Sequence, residues 1–344
     1  MKEIPEDFLV EECLALPLGG GAGAAFQYLR LTKRGFTTFR AIEEVAWAAE
    51  VSVDKVAYAG LKDEDAVTRQ YVAVPGGIAG PALDRFNKRF SREGNYMSLS
   101  PLGYGTVALR LGGLAGNCFR LVLRRVDPAV VERLAERRHN LYFFNYFDTQ
   151  RFGVPDGPKV AHWIGQALLR GDYDGALKLL VEGKSDEGRR AEGWTGDAQA
   201  FFGRLDQRVT SLYLNAASAH DFNLQLAGEV DRCSDSDSYS EVRDGLPFRF
   251  ATAQTALQVA LRATDLPYEK YRAGTGGMRR TFSRRPTVLQ AQVEAGPAGP
   301  DGLHPGFSQC AVAFFLSPGA YATMAVSQLL ARLAAGLPPG AGAA

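Results

Sequence analysis

One polar segment of the sequence carries residue types that covalent catalysis needs. Residues 58–70 read YAGLKDEDAVTRQ and lie between two apolar segments with strand-like patterns. Asp63 follows Gly60 and Lys62 at the exit of the first strand, where loops present functional side chains on a rigid scaffold. A carboxylate can act as a nucleophile at a sugar or base carbon if cations such as Lys62 or Arg69 keep it ionised. The same pattern also fits an ordinary turn with Gly60 at a strained position, and the residues alone leave both interpretations open.

The familiar cofactor and metal motifs fail in their sequence context. The glycine-rich residues 19–23 precede a strand pattern instead of a helix, and no Gly-Lys-Ser/Thr occurs, so neither a dinucleotide site nor a P-loop is indicated. The four histidines lack metal-ligand spacing, and no GxSxG motif is present. We therefore expect no cofactor, no nucleotide and no metal. The cysteines form no CxxC pair and are expected to be reduced thiols, namely Cys13, Cys118, Cys233 and Cys310.

A local basic window contrasts with the nearly neutral chain. The formal net charge is only +1, which does not by itself indicate a nucleic-acid partner. Residues 270–292 contain no acidic residue, whereas residues 231–244 are acidic. Such a window can bind phosphates, although a charge run is more often a solvated face. Its cations are Lys270, Arg272, Arg279, Arg280, Arg284 and Arg285.

The elements that must position these residues alternate between strand and helix patterns. Residues 38–50 have helical spacing, with Thr37 or Thr38 as the cap, and residues 153–214 are helical with a break at Gly171. Residues 295–305 are expected to form a long surface loop. Strand patterns occur at residues 7–12, 26–32, 56–58, 71–74, 106–111, 119–124, 246–251, 288–293 and 309–316, followed by a helix at 321–333.

Length and composition indicate a globular protein with two folded units. The chain has 344 residues, of which 46% are hydrophobic and 22% charged. The longest strongly apolar run is far shorter than the roughly 20 residues that cross a bilayer, and the N-terminus lacks the pattern of an export signal. We therefore expect no membrane span and a cytoplasmic location.

Several segments, in order, resemble the signature blocks of TruD-type pseudouridine synthases. The blocks extend from one end of the chain to the other. They are PEDFLVEE near the start, YAGLKDEDAVTRQ, GNCFRLVLR from Gly116, NYFDTQRFG from Asn145, a weaker AHDFN ending at Asn223, and FFLSPGAYATM from Phe314.

The resemblance implies an isomerase that flips a uridine out of a structured RNA, breaks its N1–C1′ bond and rejoins the base through C5. It implies an α+β fold, with a catalytic domain built on a central mixed, largely antiparallel sheet and a TruD-type insertion module. We expect the catalytic domain at residues 1–152 and 250–334, the insertion at 153–249 and a disordered tail at 335–344.

Block matching assigns expected roles to individual residues. Asp63 falls on the catalytic aspartate, and Lys2 falls on a basic residue near the site. Asn117 and Phe119 fall on the residues that contact the target base, although Asn117 could be a turn former and Phe119 a core residue. Further expected substrate-binding residues are Lys62, Phe147, Gln150, Arg151, Arg279 and Arg280.

The implied substrate is tRNA, at uridine 13 of the D-arm, and we expect a monomer that needs no cofactor. Asp148 stands where the family usually has glycine, and Cys118 replaces a commonly basic or small residue. These departures motivate an alternative, a divergent and weakly active RNA-binding or RNA-folding module of the same fold. A glycosidase is a remote third possibility, because Glu64 and Asp65 are adjacent in sequence but nothing places either across a sugar from Asp63.

Overall fold

The computed structural model of the chain describes residues 3–21, 23–91, 94–154, 157–234, 237–274 and 277–336. Lys2 and most of the expected disordered tail, residues 337–344, lie outside the described residues. The strands are β1 (Phe8–Cys13), β2 (Phe26–Arg34), β3 (Ala57–Tyr58), β4 (Val67–Pro75), β5 (Tyr96–Gly105), β6 (Gly116–Val126), β7 (Arg138–Phe144), β8 (Tyr239–Arg243), β9 (Leu246–Phe250), β10 (Asp265–Gly274), β11 (Gly277–Pro286), β12 (Val288–Pro300) and β13 (Ser308–Leu316). The α-helices are α1 (Thr38–Ala49), α2 (Gly80–Arg89), α3 (Pro128–Leu134), α4 (Ala161–Leu169), α5 (Tyr173–Glu182), α6 (Asp186–Glu192), α7 (Ala198–Arg204), α8 (Gln207–Cys233), α9 (Ala253–Arg262) and α10 (Ala322–Ala334).

The chain divides into two compact units. The first contains Met1–His139 and Ala291–Ala320, and the second contains Asn140–Gln290 and Tyr321–Ala344. These bounds differ from the boundaries of the insertion module expected from the family resemblance. The assignment of an inserted module at 153–249 stays a prediction.

A mixed sheet forms the first unit. Its strand order is β5-β2-β4-β1-β6-β13-β12-β7, with β3 paired to β4, and most of β7 and the start of β12 belong to the second unit. The β1–β4 pair is parallel, whereas β1–β6, β2–β4, β2–β5, β6–β13 and β12–β13 are antiparallel. The predicted α+β class with a mixed, largely antiparallel sheet is confirmed.

Hydrophobic periodicity explains how α1 covers this sheet. Thr37 caps the helix by accepting a hydrogen bond from the Arg40 N–H, and Glu50 ends it in the left-handed region at φ 56°. Ile42 and Val45 are buried against Leu29 of β2 in one apolar cluster. The helix predicted at 38–50 is confirmed.

Two loop and strand predictions are wrong. Residues 106–111 are not a strand, because β5 ends at Gly105 and the Val107 carbonyl oxygen accepts a hydrogen bond from the Tyr28 hydroxyl at 2.6 Å. Residues 295–305 are not one long loop, because β12 extends to Pro300 and pairs with β13. A bulge between Ala295 and Ala298 accommodates the glycine and proline that suggested a loop.

The expectation of four reduced thiols is also wrong for one pair. Cys13 and Cys118 form a disulfide between β1 and β6, with Cα atoms 6.4 Å apart and 105 residues between them in sequence. The register places Cys13 opposite Gly116 and Glu11 opposite Cys118, so the two cysteines occupy diagonal positions on one face. This register is a long-range property that cysteine spacing does not reveal.

Helices dominate the first half of the second unit. The break expected at Gly171 is confirmed, since this glycine has φ 74° between α4 and α5. Helices α4 and α8 approach closely at Gly165, where a Cβ atom would lie 2.0 Å from the Tyr213 carbonyl oxygen. The basic window, which the sequence left without an assigned element, forms most of the antiparallel β10–β11 hairpin.

Candidate functional site

The loop that carries Asp63 is held by buried polar side chains of the first unit. Asp63 itself is exposed and lies between β3 and β4. Lys33 of β2 is completely buried, and its Nζ donates hydrogen bonds to the carbonyl oxygens of Asp63 at 2.7 Å and Lys62 at 3.3 Å. The Gly35 N–H donates to the Glu64 carbonyl oxygen at 3.0 Å. The loop backbone is therefore fixed on both sides of the Asp63 side chain.

A second set of contacts holds the start of the same loop. The Lys62 N–H donates to Thr38 Oγ1 at 2.9 Å, and Gln70 Nε2 donates to the Gly60 carbonyl oxygen at 3.4 Å. Gly60 does not have a left-handed backbone conformation, so the turn is not strained at this residue. A Cβ atom there would lie 2.9 Å from Lys62 Nζ and 3.0 Å from Glu12 Oε1, so a side chain at this position would displace the ends of these two side chains.

Two carboxylates of β1 form ion pairs with the two cations that lie near Asp63 in the sequence. Lys62 Nζ lies 2.7 Å from Glu12 Oε1 in a buried ion pair, and the other Glu12 oxygen accepts the Tyr71 N–H at 2.9 Å. Arg69 lies 3.2 Å from Glu11 at the more exposed face. Substrate binding by Lys62 stays a prediction, and any such role must accommodate the Glu12 contact.

Asn117 and Phe119 lie on β6 with different surroundings. Asn117 is directly opposite Glu12 in β1 and Leu316 in β13, so it shares a sheet face with the Lys62–Glu12 pair. Its Oδ1 atom is buried, and no described residue donates a hydrogen bond to it. An unsatisfied buried acceptor is uncommon and fits an oxygen reserved for a ligand.

Phe119 has the contacts of a core residue. It is 8% exposed, stacks on Phe314 with ring centroids 5.4 Å apart, and meets Phe8 edge-on at 6.0 Å. This packing favours the structural interpretation over direct contact with a base. Contact with the base stays a prediction.

In the second unit, hydrogen bonds to side chains of the same unit hold the segment from Asn145 to Gly153. Asn223 of α8 donates from Nδ2 to the Phe147 carbonyl oxygen at 2.9 Å and accepts the Phe147 N–H at 2.8 Å. Asp148 accepts the Thr149 N–H at 2.7 Å and also the Thr323 hydroxyl, so it caps the short helical turn at Thr149–Arg151. The departure from glycine at Asp148 therefore has a local structural role.

A buried arginine anchors this segment to the hairpin. Arg285 Nε donates to the Asn145 carbonyl oxygen at 2.9 Å, and Nη2 donates to Asn145 Oδ1 at 2.6 Å. Its guanidinium lies 4.1 Å from the centre of the Phe147 ring. Burial lowers the pKa of Arg285 to about 10, which leaves it charged near neutral pH. The basic window thus includes one arginine with a structural role.

The remaining predicted substrate-binding residues lie in three environments. Phe147, Arg151 and Arg279 line one cavity of about 440 Å³ in the second unit. Gln150 is exposed and, with Arg151, lines a neighbouring cavity of about 280 Å³. Arg280 instead forms an ion pair with Glu269 at 3.0 Å.

Within the described part of the chain, no group of three or more histidine, cysteine, aspartate or glutamate side chains is placed to hold a metal ion. None of its helices combines the length and apolarity that crossing a membrane requires. His162 and His220 stack with ring centroids 4.4 Å apart inside the second unit.

Sequence reasoning missed Lys33, Glu12 and Asn223. Lys33 does leave a signal, because it is in phase with the buried Leu29 and Leu31 on β2 and therefore points into the core. Glu12 and Asn223 act through partners more than 45 residues away in sequence, and spacing does not reveal such pairs.

Comparison with known proteins identifies the family. A family model described as "tRNA pseudouridine synthase D (TruD)" matches residues 1–193. The chain is 37% identical over 295 residues to the "Probable tRNA pseudouridine synthase D" of Thermococcus onnurineus, covering 73% of this chain and 68% of that protein. It is 36% identical over 195 residues to the "tRNA pseudouridine synthase D" of Geobacter sulfurreducens, covering 52% and 42%.

A solved structure supports the fold. The crystal structure of the putative tRNA pseudouridine synthase D from Methanosarcina mazei superimposes with a TM-score of 0.61, covering 96% of this chain and 93% of that one. At 18% identity this likeness concerns the fold alone. With more than half of the sequence matched by the family model, the chain belongs to the TruD family, as the signature blocks predicted.

Proposed function

We propose that this chain is a tRNA pseudouridine synthase that isomerises uridine 13 of the D-arm, with Asp63 as the nucleophile. Family membership supports the reaction class. The observation that carries the role of Asp63 is the exposed carboxylate on a loop whose backbone is fixed by Lys33 and Thr38. A nucleophile held in this way reacts without first ordering its own loop.

The reaction is an isomerisation, and its atoms balance without a co-reactant. The N1–C1′ bond breaks, the uracil turns, and a C5–C1′ bond forms while C5 loses a proton and N1 gains one. Asp63 is the group that starts glycosidic cleavage. Flipping the uridine costs a few kcal/mol of stacking, which contacts to the base must offset.

Asn117 supports recognition of the flipped base. Its buried Oδ1 has no donor among the described residues, and the N3–H of uracil is a donor of the right kind. Cytosine has no hydrogen at N3 and would leave Asn117 Oδ1 unsatisfied. A site built on such a contact discriminates strongly against the base that lacks the donor.

The test uses unmodified tRNA transcripts, in which pseudouridine is mapped chemically after incubation with the protein. Asp63→Asn should abolish product while tRNA affinity stays within a few-fold, because the change removes the carboxylate but little binding surface. Glu64→Gln is the matched control, since it removes an equal charge from the same loop, and it should retain activity.

The outcomes separate the parts of the proposal. Substantial turnover by Asp63→Asn would remove Asp63 from the central role. Product at a different uridine would retain the reaction and overturn the assignment of position 13. Binding of tRNA by the wild-type protein without any product would favour the RNA-binding alternative.

A further inference from the structure

The cavity of about 440 Å³ in the second unit has an unusual lining. Cations and aromatic rings predominate, and none of the described residues that line it is acidic. The lining residues are Phe147, Arg151, Asn215, Tyr268, Lys270, Tyr271, Arg272, Arg279 and Thr281.

The hairpin register segregates charge between the two faces of β10–β11. Arg272 lies directly opposite Arg279, and both line the cavity. Like charges in opposed positions repel and destabilise a strand pair unless an anion lies between them. Within the described part of the chain, neither side chain has a carboxylate within ion-pair distance. The geometry therefore places two facing cations where an anion would stabilise the fold.

Other arginines of the same hairpin do have carboxylate partners. Arg280 pairs with Glu269 at 3.0 Å, and Arg284 pairs with Asp265. Of the five arginines of the hairpin, Arg280 and Arg284 thus have carboxylate partners and Arg285 binds Asn145, whereas Arg272 and Arg279 have no carboxylate within ion-pair distance among the described residues. This difference argues against treating the basic window as one uniformly solvated face.

Arg151 contributes a second, independent sign of an anionic ligand. It enters the cavity from the short helical turn at Thr149–Arg151, and its Nε atom is buried without a hydrogen-bond partner. A buried guanidinium donor without an acceptor carries a desolvation cost. A phosphate oxygen in the cavity would supply the missing acceptor.

Aromatic rings provide the other half of a nucleotide site. Tyr268 meets Phe147 edge-on with ring centroids 5.7 Å apart, and Lys270 Nζ lies 5.5 Å from the centre of the Tyr268 ring. Bases and riboses of single-stranded nucleic acid stack on such rings, and cations beside the rings contact the phosphates of the nucleic-acid backbone. Cations and rings therefore occur together on one wall.

Polar side chains of α8 make this wall rigid, because they form hydrogen bonds with the backbone of β10 along the edge that does not pair with β11. Asn215 donates to the Tyr271 carbonyl oxygen at 2.8 Å and accepts its N–H at 3.0 Å. Ser218 forms the corresponding pair with Glu269, at 2.7 and 2.9 Å. Ser211 accepts the Ala273 N–H at 2.8 Å. Lys270 and Arg272 thus lie on a strand that is hydrogen-bonded along both edges.

We propose that this cavity binds one nucleotide of the substrate RNA backbone, with its phosphate between Arg272 and Arg279 and its base or ribose against Tyr268. The proposal rests on the proposed function, because it takes RNA as the substrate. It goes further by assigning the phosphate contact to Arg279 and not to Arg280, although the sequence predicts both as substrate-binding.

The test measures how the affinity for an unmodified tRNA transcript depends on KCl concentration, in an Asp63→Asn background that forms no product. Replacing Arg272 and Arg279 together by Gln should lower the slope of log affinity against log salt by roughly 0.7–0.9, because one phosphate lies between them and each phosphate contact contributes roughly 0.7–0.9. Affinity should fall by roughly four- to sixfold at physiological salt. Each single substitution should give a smaller change in slope than the double substitution.

The matched control is the pair Arg280→Gln and Arg284→Gln, which removes the same charge from the same hairpin. This control should leave the slope unchanged, because both side chains already have carboxylate partners. Equal losses in the two double variants would show diffuse binding and overturn the proposal, as would an unchanged slope for Arg272→Gln/Arg279→Gln.

Folding and activity are measured separately from binding. The Arg272→Gln/Arg279→Gln variant should melt no lower than the parent protein, because it relieves repulsion between facing cations. Pseudouridine formation is measured with Asp63 intact. If tRNA binds with the expected slopes but no pseudouridine forms, the proposed function fails and the nucleotide site remains.

Discussion

The Nζ atom of Lys33 lies 2.7 Å from the carbonyl oxygen of Asp63, although the two residues belong to different elements of the first unit. Lys33 is fully buried on β2 and also donates to the Lys62 carbonyl oxygen at 3.3 Å. Carbonyl oxygens of two consecutive residues therefore converge on one buried cation. This arrangement fixes the backbone from which the Asp63 side chain projects.

Replacing Lys33 by Met should lower the single-turnover rate of pseudouridine formation by about 10- to 100-fold, because small displacements of a reacting group have effects of this size. Affinity for tRNA should change only a few-fold, since Lys33 is not exposed. The measurement is single-turnover kinetics on the folded fraction, with the exposed Lys55→Met as control. A normal single-turnover rate in Lys33→Met would show that the loop keeps its geometry without this cation.

Asn223 should be needed for the stability of the second unit. Asn223→Ala leaves both backbone groups of Phe147 buried without partners, and we expect a loss of about 2–4 kcal/mol in the free energy of unfolding. Urea denaturation measures this loss. Gln225→Ala, on the exposed face of the same helix, should change the free energy by less than about 0.5 kcal/mol. Equal effects of the two substitutions would contradict the role given to Asn223.

Phe119→Leu distinguishes core packing from base stacking. Because Phe119 is buried against Phe8 and Phe314, we expect a loss of about 1–2 kcal/mol in stability and a nearly normal single-turnover rate of the folded fraction. Phe314→Leu, at the stacked partner, should behave alike. A stable Phe119→Leu protein whose rate falls by roughly five- to 150-fold would instead support stacking on the uracil, since one stacked base contributes about 1–3 kcal/mol.

Stability should fall in mild acid because of His162. Burial, with a smaller contribution from His220, lowers the pKa of His162 to about 3. Well above pH 6.5 the imidazole is neutral in both the folded and the unfolded chain, so stability is fully present there. Below that pH the unfolded chain binds a proton that the folded chain does not, and the free energy of unfolding falls by about 2 kcal/mol at pH 5.

The variant His162→Phe isolates this contribution from that of other titrating groups. Its free energy of unfolding should decline less between neutral pH and pH 5 than that of the wild type, by about 2 kcal/mol. Urea denaturation at the two pH values gives the comparison. Identical declines in the two proteins would assign the acid sensitivity to other residues.

Local patterns predicted the elements that depend on local forces. The helix over residues 38–50 and the break at Gly171 follow from apolar spacing, an N-cap and a left-handed glycine. The errors at 106–111 and 295–305 have the opposite origin. At 106–111 the Tyr28 hydroxyl, and not a neighbouring strand, donates a hydrogen bond to the Val107 carbonyl oxygen. At 295–305, pairing with β13 extends β12 through glycine and proline.

The candidate site was predictable only in part for the same reason. Asp63 is visible as a carboxylate in a polar loop between apolar strands. Its surroundings depend on register: the parallel β1–β4 pairing brings Glu11 beside Arg69, and Glu12 reaches Lys62. No local sequence pattern reveals this register. The sequence therefore names the reacting group more readily than the residues that hold it.

The contacts between α8 and β10 also bear on self-association. An open strand edge is a template onto which another chain can add a strand and begin to aggregate. In the second unit, β11 covers one edge of β10 and the polar side chains of α8 cover the other. On the outer strand β11, Arg279 has no carboxylate within ion-pair distance among the described residues, and its charge would repel the same strand of another copy. Arg279 thus also opposes aggregation through this edge, and Arg279→Gln should be less soluble than the parent protein.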